Sequence, residues 1–397
     1  MKDKTYKVPF LGVGNRLTKN DIKVLEKVAL ESNTYTQGKF QTDFERIFSD
    51  KFKVKYAIAV SNAVSGIELI ADEIGIKEGD EVLCPAHTYC ASAYPFLKRG
   101  AKIKWLDIDE KSWLSEEEQV INKISNKTKA VIFVHLYGTP ASVFNLYDYL
   151  ESKGIYTVED CAQSLGAKID DVFVGTLCDF SIFSFQSHKN ISTLGEGGMI
   201  GTKHKISMER IKGQRHNGHM PYQVFKDKYW KPAMSDVKKI YPDKYPSNFC
   251  LNEFSCAVGI NLLSKYESIV EERKKKWELA RKLLFENKSI DLQMIASNKK
   301  SVYHLLPLFI KNKETKDIDE IIKIMSEEYS VQIAKQYIPL YRYELFNSEA
   351  EGLGEEKLLK NTDTFYDSMI SLPFHGSLTE EQITYEIKSL ITVVDNL

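Results

Sequence analysis

From residue 55 to about residue 202 the chain repeats one unit, a short β-rich run followed by a helical or polar segment. The runs are KYAIAVS (55–61), DEVLCPA, KIKWLDID, KAVIFVHLYG, IYTVEDCA (155–162), CDFSIFSF (178–185) and GGMIGT (197–202). An amphipathic pattern, SGIELIADEIGI, follows the first run, and a helix-like YCASAYPFLKRG follows the second. Near-continuous apolar strands alternating with helices make a mainly parallel sheet covered by helices. This restricts the first half to an α/β fold. Ligands of such sheets sit at the C-terminal strand ends, where PAHTY, VHLYG, EDCAQ and SFQSHK all fall.

The second half reads differently. Residues 203–247 are irregular and rich in aromatic and basic residues, with Pro221, Pro232, Pro242 and Pro246 breaking any long helix. A helical pattern then runs from Asn252 to about Phe285, carried by Leu262, Tyr266, Ile269, Val270, Leu279 and Leu283. VYHLLPLFI reads as a strand, DIDEIIKIMSEEY as a helix, VQIAKQYIPL as a further strand, and LTEEQITYEIKSLITVV as a closing helix with a Thr cap. At 397 residues, two domains are expected. Residues 1–255 form the large one, its N-terminal segment free to pack on the other. Residues 256–397 hold the long linking helix and a smaller α+β unit.

Charge excludes some functions. With 54 basic and 55 acidic side chains the net charge is −1, without the basic excess of a nucleic-acid or membrane-surface protein. The mixed-sign run EERKKKW (271–277) reads as a solvated helix face. The charged N-terminus lacks the apolar core of a secretory signal, and no stretch nears the ~20 apolar residues of a membrane span, so a cytoplasmic protein is expected. Cys84, Cys90, Cys161, Cys178, Cys250 and Cys256 form no C-x-x-C and no zinc spacing, so free thiols and no metal site are expected.

Four stretches carry chemistry. In VEDCAQSLGA (158–167), Asp160 ends a strand; it could cap the next helix or pair with a protonated ring nitrogen. Lys189 follows the strand FSIFSF and precedes GEGG; it could reach solvent, or be held in a pocket that lowers its pKa and frees the amine. SNAVSGIELI (61–70) is a strand-to-helix turn, either an ordinary capped helix or a phosphate site built from exposed amides and the Ser65 hydroxyl. Tyr89 in PAHTY offers a flat ring just past a strand end.

The order of these elements, a small-residue turn, an aromatic, E-D-x-A-Q, then S-F-x-x-x-K with G-E-G-G, resembles the DegT-type sugar aminotransferases, and the likeness runs over nearly the whole chain. GKFQTDFERIFSDKFKVKYAIAVSN, KEGDEVLCPAHTY, RHNGH, YPSNFCLNEFSCAVG and SLPFHGSLTEEQ all fit that pattern. The resemblance implies a pyridoxal 5'-phosphate transferase of fold type I, with a seven-stranded sheet in the large domain. It implies Lys189 as covalent anchor of the cofactor, Asp160 on the pyridine nitrogen and Gln163 near the ring hydroxyl. Tyr89 would stack on the ring, and Ser184, Ser65 and the amides around Ala63 and Val64 would take the phosphate. Asn248 would reach the phosphate of a second subunit, making a homodimer with shared sites, and His135, Glu196 and His188 would lie near the substrate. The chain departs from the pattern at Ala63–Val64 (commonly Gly-Thr), Cys250 (Arg), Ser255 (Gln), Gln336 and Tyr341 (both commonly His).

One branch of that family replaces the lysine by histidine and becomes a dehydratase, so the pair His188–Lys189 must be registered. Ser184 plus five is Lys189, and six residues before Gly195 is again Lys189. His188 then faces the other way on an extended segment. The expected reaction moves an amino group from an amino acid, L-glutamate by resemblance, to a nucleotide-linked 3- or 4-keto-6-deoxy sugar. The alternatives are a keto-sugar dehydratase on the same fold or a non-catalytic regulatory member.

Overall fold

A computed structural model describes residues 5–219, 245–346 and 359–397. Pro221, Pro232 and Pro242 lie outside the described residues, as does most of the irregular 203–247 stretch.

The expected runs fold into one seven-stranded sheet. Its strands are β1 Tyr56–Val60, β2 Glu81–Pro85, β3 Lys102–Leu106, β4 Thr128–Val134, β5 Tyr156–Asp160, β8 Phe180–Ser184 and β9 Gly198–Thr202. Between β5 and β8, the two-residue strands β6 Lys168–Ile169 and β7 Val172–Phe173 join β11 Lys299–Lys300 in a separate small sheet. The order across the large sheet is β1-β9-β8-β5-β4-β2-β3. All neighbours pair in parallel except those of β9, which is antiparallel to β1 and β8. β2, β8 and β9 are buried at every residue, which is why they read as apolar runs rather than alternating ones. Helix Ala63–Ile74 covers one face. Its Gly66 is forced by closeness, since a Cβ there would come within 2.4 Å of Ile182 on β8. A second apolar cluster joins helix Lys39–Phe52 through Phe44, Phe48 and Phe52 to Phe183 and Phe185.

The C-terminal half builds its own core on the antiparallel sheet of β10 Ile290–Leu292, β12 Leu306–Ile310 and β13 Met369–Leu372. Helices Thr315–Glu327 and Glu380–Asn396 pack there, the latter opened by Thr379 in a capping box with Gln382. Val8 of the N-terminal segment joins this core and bridges to Val331.

Several expectations change. The helical pattern 252–285 is two helices, Glu253–Leu263 and Tyr266–Leu284, separated at Ser264–Lys265. The boundary at 255/256 falls inside the first of these, whose Cys256, Val258, Leu262 and Leu263 belong to the same cluster as Phe44 and Phe185. The second helix joins the C-terminal core through Ala280 and Leu284, with Trp277 packed against it. YCASAYPFLKRG forms two single turns, Cys90–Ser92 and Tyr94–Leu97, instead of a helix. VQIAKQYIPL makes only isolated bridges, at Val331 and Ala334. In EERKKKW most residues are solvated, but Arg273 is turned fully inward and donates to the carbonyls of Tyr303, His304 and Phe374. No described helix is long and apolar enough to cross a membrane.

Candidate active site

After Ser184 the chain turns. The Lys189 N–H donates to Gln186 O at 2.8 Å, and the His188 N–H donates to Gln186 Oε1 at 2.8 Å. This turn, rather than the expected extended segment, separates the basic pair: His188 is exposed and Lys189 is drawn inward. Burial lowers the Lys189 amine from its usual value to about 8, against the opposing pull of Asp160 and Glu196. No carboxylate forms an ion pair with Lys189 among the described residues. The N-terminal segment lies directly on this turn. The Gly14 N–H donates to Ser187 O at 2.7 Å, and a Cβ on Gly14 would stand 2.2 Å from the Lys189 carbonyl oxygen.

Asp160 closes β5, beside Val134 on β4 and Ile182 on β8. Its Oδ2 accepts from Ser92 Oγ at 2.7 Å and its Oδ1 from the Ala162 N–H at 3.0 Å. Both bonds hold the carboxylate in one orientation. Three residues on, Gln163 is buried and also fixed at both ends: Oε1 accepts from the Tyr137 N–H and Nε2 donates to Tyr337 Oη, each at 2.8 Å. Tyr89 is 59% exposed, a ring face open beside this cluster. Burial, then Cys90 and Glu196, push its hydroxyl pKa up.

The third part of the site lies at the start of helix Ala63–Ile74. Ser184, Gly198 and Val60 stand in one row across β8, β9 and β1. A Cβ on Gly198 would come within 2.7 Å of the Asn62 backbone, so only glycine lets the helix start settle here. Asn62 Oδ1 caps the helix by accepting from the Ser65 N–H at 2.8 Å and from Ser65 Oγ at 3.0 Å. Ser65 is therefore engaged in the helix cap. The amides of Ala63 and Val64 come before the first intrahelical hydrogen bond, beside Ser184. Asn248 is exposed on a strand-like segment that bridges His216, and its neighbour Phe249 accepts the Ser61 N–H at 2.8 Å.

A family description covering residues 15–391 matches this chain, that of the DegT/DnrJ/EryC1/StrS aminotransferase family. The chain belongs to this family. Among similar proteins, the GDP-perosamine synthase of Escherichia coli O157:H7 is 28% identical over 89% of this chain and 90% of its own. A UDP-4-amino-4,6-dideoxy-N-acetyl-beta-L-altrosamine transaminase of Campylobacter jejuni is 26% identical over 96% of both chains. In fold, the chain is similar to Helicobacter pylori PseC, an aminotransferase involved in the biosynthesis of pseudoaminic acid. The TM-score is 0.87 at 23% identity, over 98% of this chain and 100% of that one.

Set in this aminotransferase family, most expected positions gather at one end of the large sheet, and His135 lies there too, its backbone N–H donating to the Asp160 carbonyl at 3.1 Å. It is fully buried; its Nδ1 accepts from the Ala141 N–H at 3.0 Å and its Nε2 bonds Glu159 Oε2 at 2.7 Å. Both ring nitrogens are engaged within the fold. Burial opposes ionisation of Glu159, but hydrogen bonds from His135 and Tyr147 hold its pKa below the usual range. Cys161 lies close enough to make a three-ligand cluster, within 4.8 Å, yet those hydrogen bonds already occupy His135 and Glu159. Glu196 is exposed and acts on both Lys189 and Tyr89. His188, exposed beside Gly12, remains at the site's rim. Ser92, Tyr137 and Tyr337 were not expected. The first two carry no motif, and Tyr337 stands next to the Gln336 that departs from the family pattern.

Proposed function

We propose that this chain is a pyridoxal-phosphate-dependent aminotransferase that moves an amino group from L-glutamate to a nucleotide-linked 3- or 4-keto-6-deoxy sugar. The observation that carries the reading is Lys189, an amine turned inward with its pKa lowered to about 8. At that value roughly a tenth of it is neutral at pH 7, against far below one per cent for an ordinary lysine. The donor set fits the cofactor. Lys189 offers a nucleophilic amine, Asp160 a fixed carboxylate, and Ser184 with the Ala63 and Val64 amides an anion site.

When bound, pyridoxal phosphate supplies the electron-withdrawing ring that makes the substrate's α-proton removable. The chain's residues do the rest. Asp160, held by Ser92 and Ala162, keeps a proton on the ring nitrogen. Gln163 would donate to the ring oxygen, and Tyr89 would stack on the ring. Freed from the cofactor by the incoming amine, Lys189 Nζ would be the base that takes the substrate's α-proton and the acid that gives it to the cofactor's reactive carbon. Histidine could move a proton but could not anchor the cofactor, and its exposure keeps His188 from either task.

The site is shared in a homodimer. Asn248, exposed and one residue from the Phe249–Ser61 contact, would reach the phosphate of a second copy. Glutamate and keto-sugar are small-molecule partners, and the enzyme works in the cytoplasm, in surface-polysaccharide or natural-product sugar synthesis. Incubation with glutamate and candidate keto-sugar nucleotides, followed by mass spectrometry, should yield an amino sugar and 2-oxoglutarate in equal amounts. A deoxy sugar without an amino group would overturn the reading in favour of a dehydratase. Failure to bind the cofactor at all would place the chain with non-catalytic members.

A further inference from the structure

We propose that Tyr337, supplied by the C-terminal half, is a positioning residue that holds the Gln163 amide with one N–H toward the ring oxygen of bound pyridoxal phosphate. This rests on the cofactor reading above. A glutamine amide has one acceptor oxygen and two N–H donors. The Gln163 oxygen is committed to the Tyr137 N–H and one Nε2 hydrogen to Tyr337 Oη, each across 2.8 Å. Flipping the amide would set its NH2 against the Tyr137 N–H, so the two partners together permit one orientation. They leave the second Nε2 hydrogen as the group's remaining donor.

Both partners are themselves held in uncommon conformations. Tyr137 has φ 64° and Tyr337 φ 62°, left-handed values that a non-glycine residue adopts only under constraint from its surroundings. The loop carrying Tyr337 is tied down on each side. Ala334 exchanges backbone hydrogen bonds with Ser371 of β13, and the Leu340 N–H donates to Ala86 O at 2.9 Å just beyond β2. His87 fills the space between the two tyrosines, its ring 5.9 Å from Tyr137 and 6.1 Å from Tyr337, and its Nε2 bonds Tyr137 Oη at 2.6 Å. A ring serving only to fill space would need neither the left-handed backbone nor a hydroxyl set against the amide.

Tyr337→Phe keeps the ring and removes the acceptor. A donor on the ring oxygen stabilises its anion and weakens its hold on the proton shared with the nearby nitrogen. Losing that donor therefore raises the pH midpoint of the bound cofactor's visible band. The experiment titrates this band in holoprotein for wild type, Tyr337→Phe, Gln163→Ala and the double variant, and measures cofactor release. The expected result is a midpoint raised by about half a unit in Tyr337→Phe, with release about threefold faster, as befits one hydrogen bond. Gln163→Ala should shift further, and the double variant should match Gln163→Ala alone, because Tyr337 acts only through Gln163. A Tyr337→Phe midpoint equal to wild type, beside a shifted Gln163→Ala, would overturn the proposal and leave the cofactor reading standing. Additive shifts in the double variant would overturn it too, since Tyr337 would then act independently. A wild-type chain that forms no visible band would sink the reading beneath it.

Discussion

Ser92 Oγ donates to Asp160 Oδ2 across 2.7 Å, joining the short turn after β2 to the end of β5. Ser92 is almost wholly buried, and Thr88 Oγ1 lies 3.2 Å from the same hydroxyl. Two strand ends, those of β2 and β5 with β4 between them, thus fix the carboxylate on which the proposed chemistry depends. Two substitutions separate charge from position. Asp160→Asn removes the charge that keeps the ring nitrogen protonated and should lower turnover by about 10²-fold or more. Ser92→Ala leaves the charge and removes one hydrogen bond, and should lower turnover by only about threefold to tenfold. Steady-state rates with saturating cofactor check both, and an equal loss in the two variants would contradict the division of roles.

The amine of Lys189 sets a pH dependence. Its pKa is lowered to about 8, so the neutral, nucleophilic form grows as pH rises through that value. The rate at which cofactor-free protein takes up pyridoxal phosphate should climb between about pH 7 and 9 with a midpoint near 8. Stopped-flow absorbance measures it directly. A midpoint near the ordinary lysine value would mean that the turn does not hold the amine inward.

Legibility in the sequence followed physical scale. Most strands of the large sheet were readable because they are buried on both faces, β2, β8 and β9 at every residue, and so appear as near-continuous apolar runs, while β3 exposes Lys102 and Lys104 on one face. Lys189 and Asp160 were readable because their places at strand ends are local features of the chain. The hydrogen bonds that position them were not, since Ser92 and Asp160 are 68 residues apart and Gln163 and Tyr337 are 174 apart. The break at Ser264–Lys265 leaves the 3–4 spacing intact on both sides, so periodicity ran straight through it. Ser65 and His135 had the right residue types in the right stretches. Only the cap by Asn62 and the bond to Glu159 reveal that their polar atoms are already engaged.

Glu386 is a buried carboxyl in helix Glu380–Asn396 with neither oxygen hydrogen-bonded among the described residues, and burial pushes its pKa well above the usual carboxylate range. A folded-state pKa above the unfolded one means that the folded chain binds the extra proton. This contribution is fully present below the unfolded pKa of about 4.3 and is lost as pH rises toward the folded value. Glu386→Gln should therefore gain about 1–2 kcal/mol on wild type at pH 8 and little at pH 4.5. Urea unfolding at both pH values tests this. A variant less stable than wild type at pH 8 would show that the carboxylate is compensated.

Arg273 is 1% exposed; its guanidinium donates to the carbonyls of His304 at 3.0 Å, Tyr303, Phe374 and, at 3.5 Å, Gly14, and lies over the Phe374 ring. Gly14 also bonds the Lys189 turn, so the guanidinium ties that turn to the C-terminal half. Arg273→Met removes the donor to the Tyr303, His304 and Phe374 carbonyls and should cost about 2–4 kcal/mol. Arg273→Lys cannot span them all and should fall between. Denaturant midpoints report the order, and a neutral Arg273→Met would contradict it.

The central claim is that Lys189, and not His188 beside it, anchors the cofactor. Borohydride reduction of the holoprotein, followed by proteolysis and mass spectrometry, tests it most directly. A pyridoxyl mass on the peptide at Lys189, absent when glutamate is added before reduction and absent from Lys189→Ala, is the predicted result. A pyridoxyl mass on another lysine, or none on the untreated holoprotein, would contradict it.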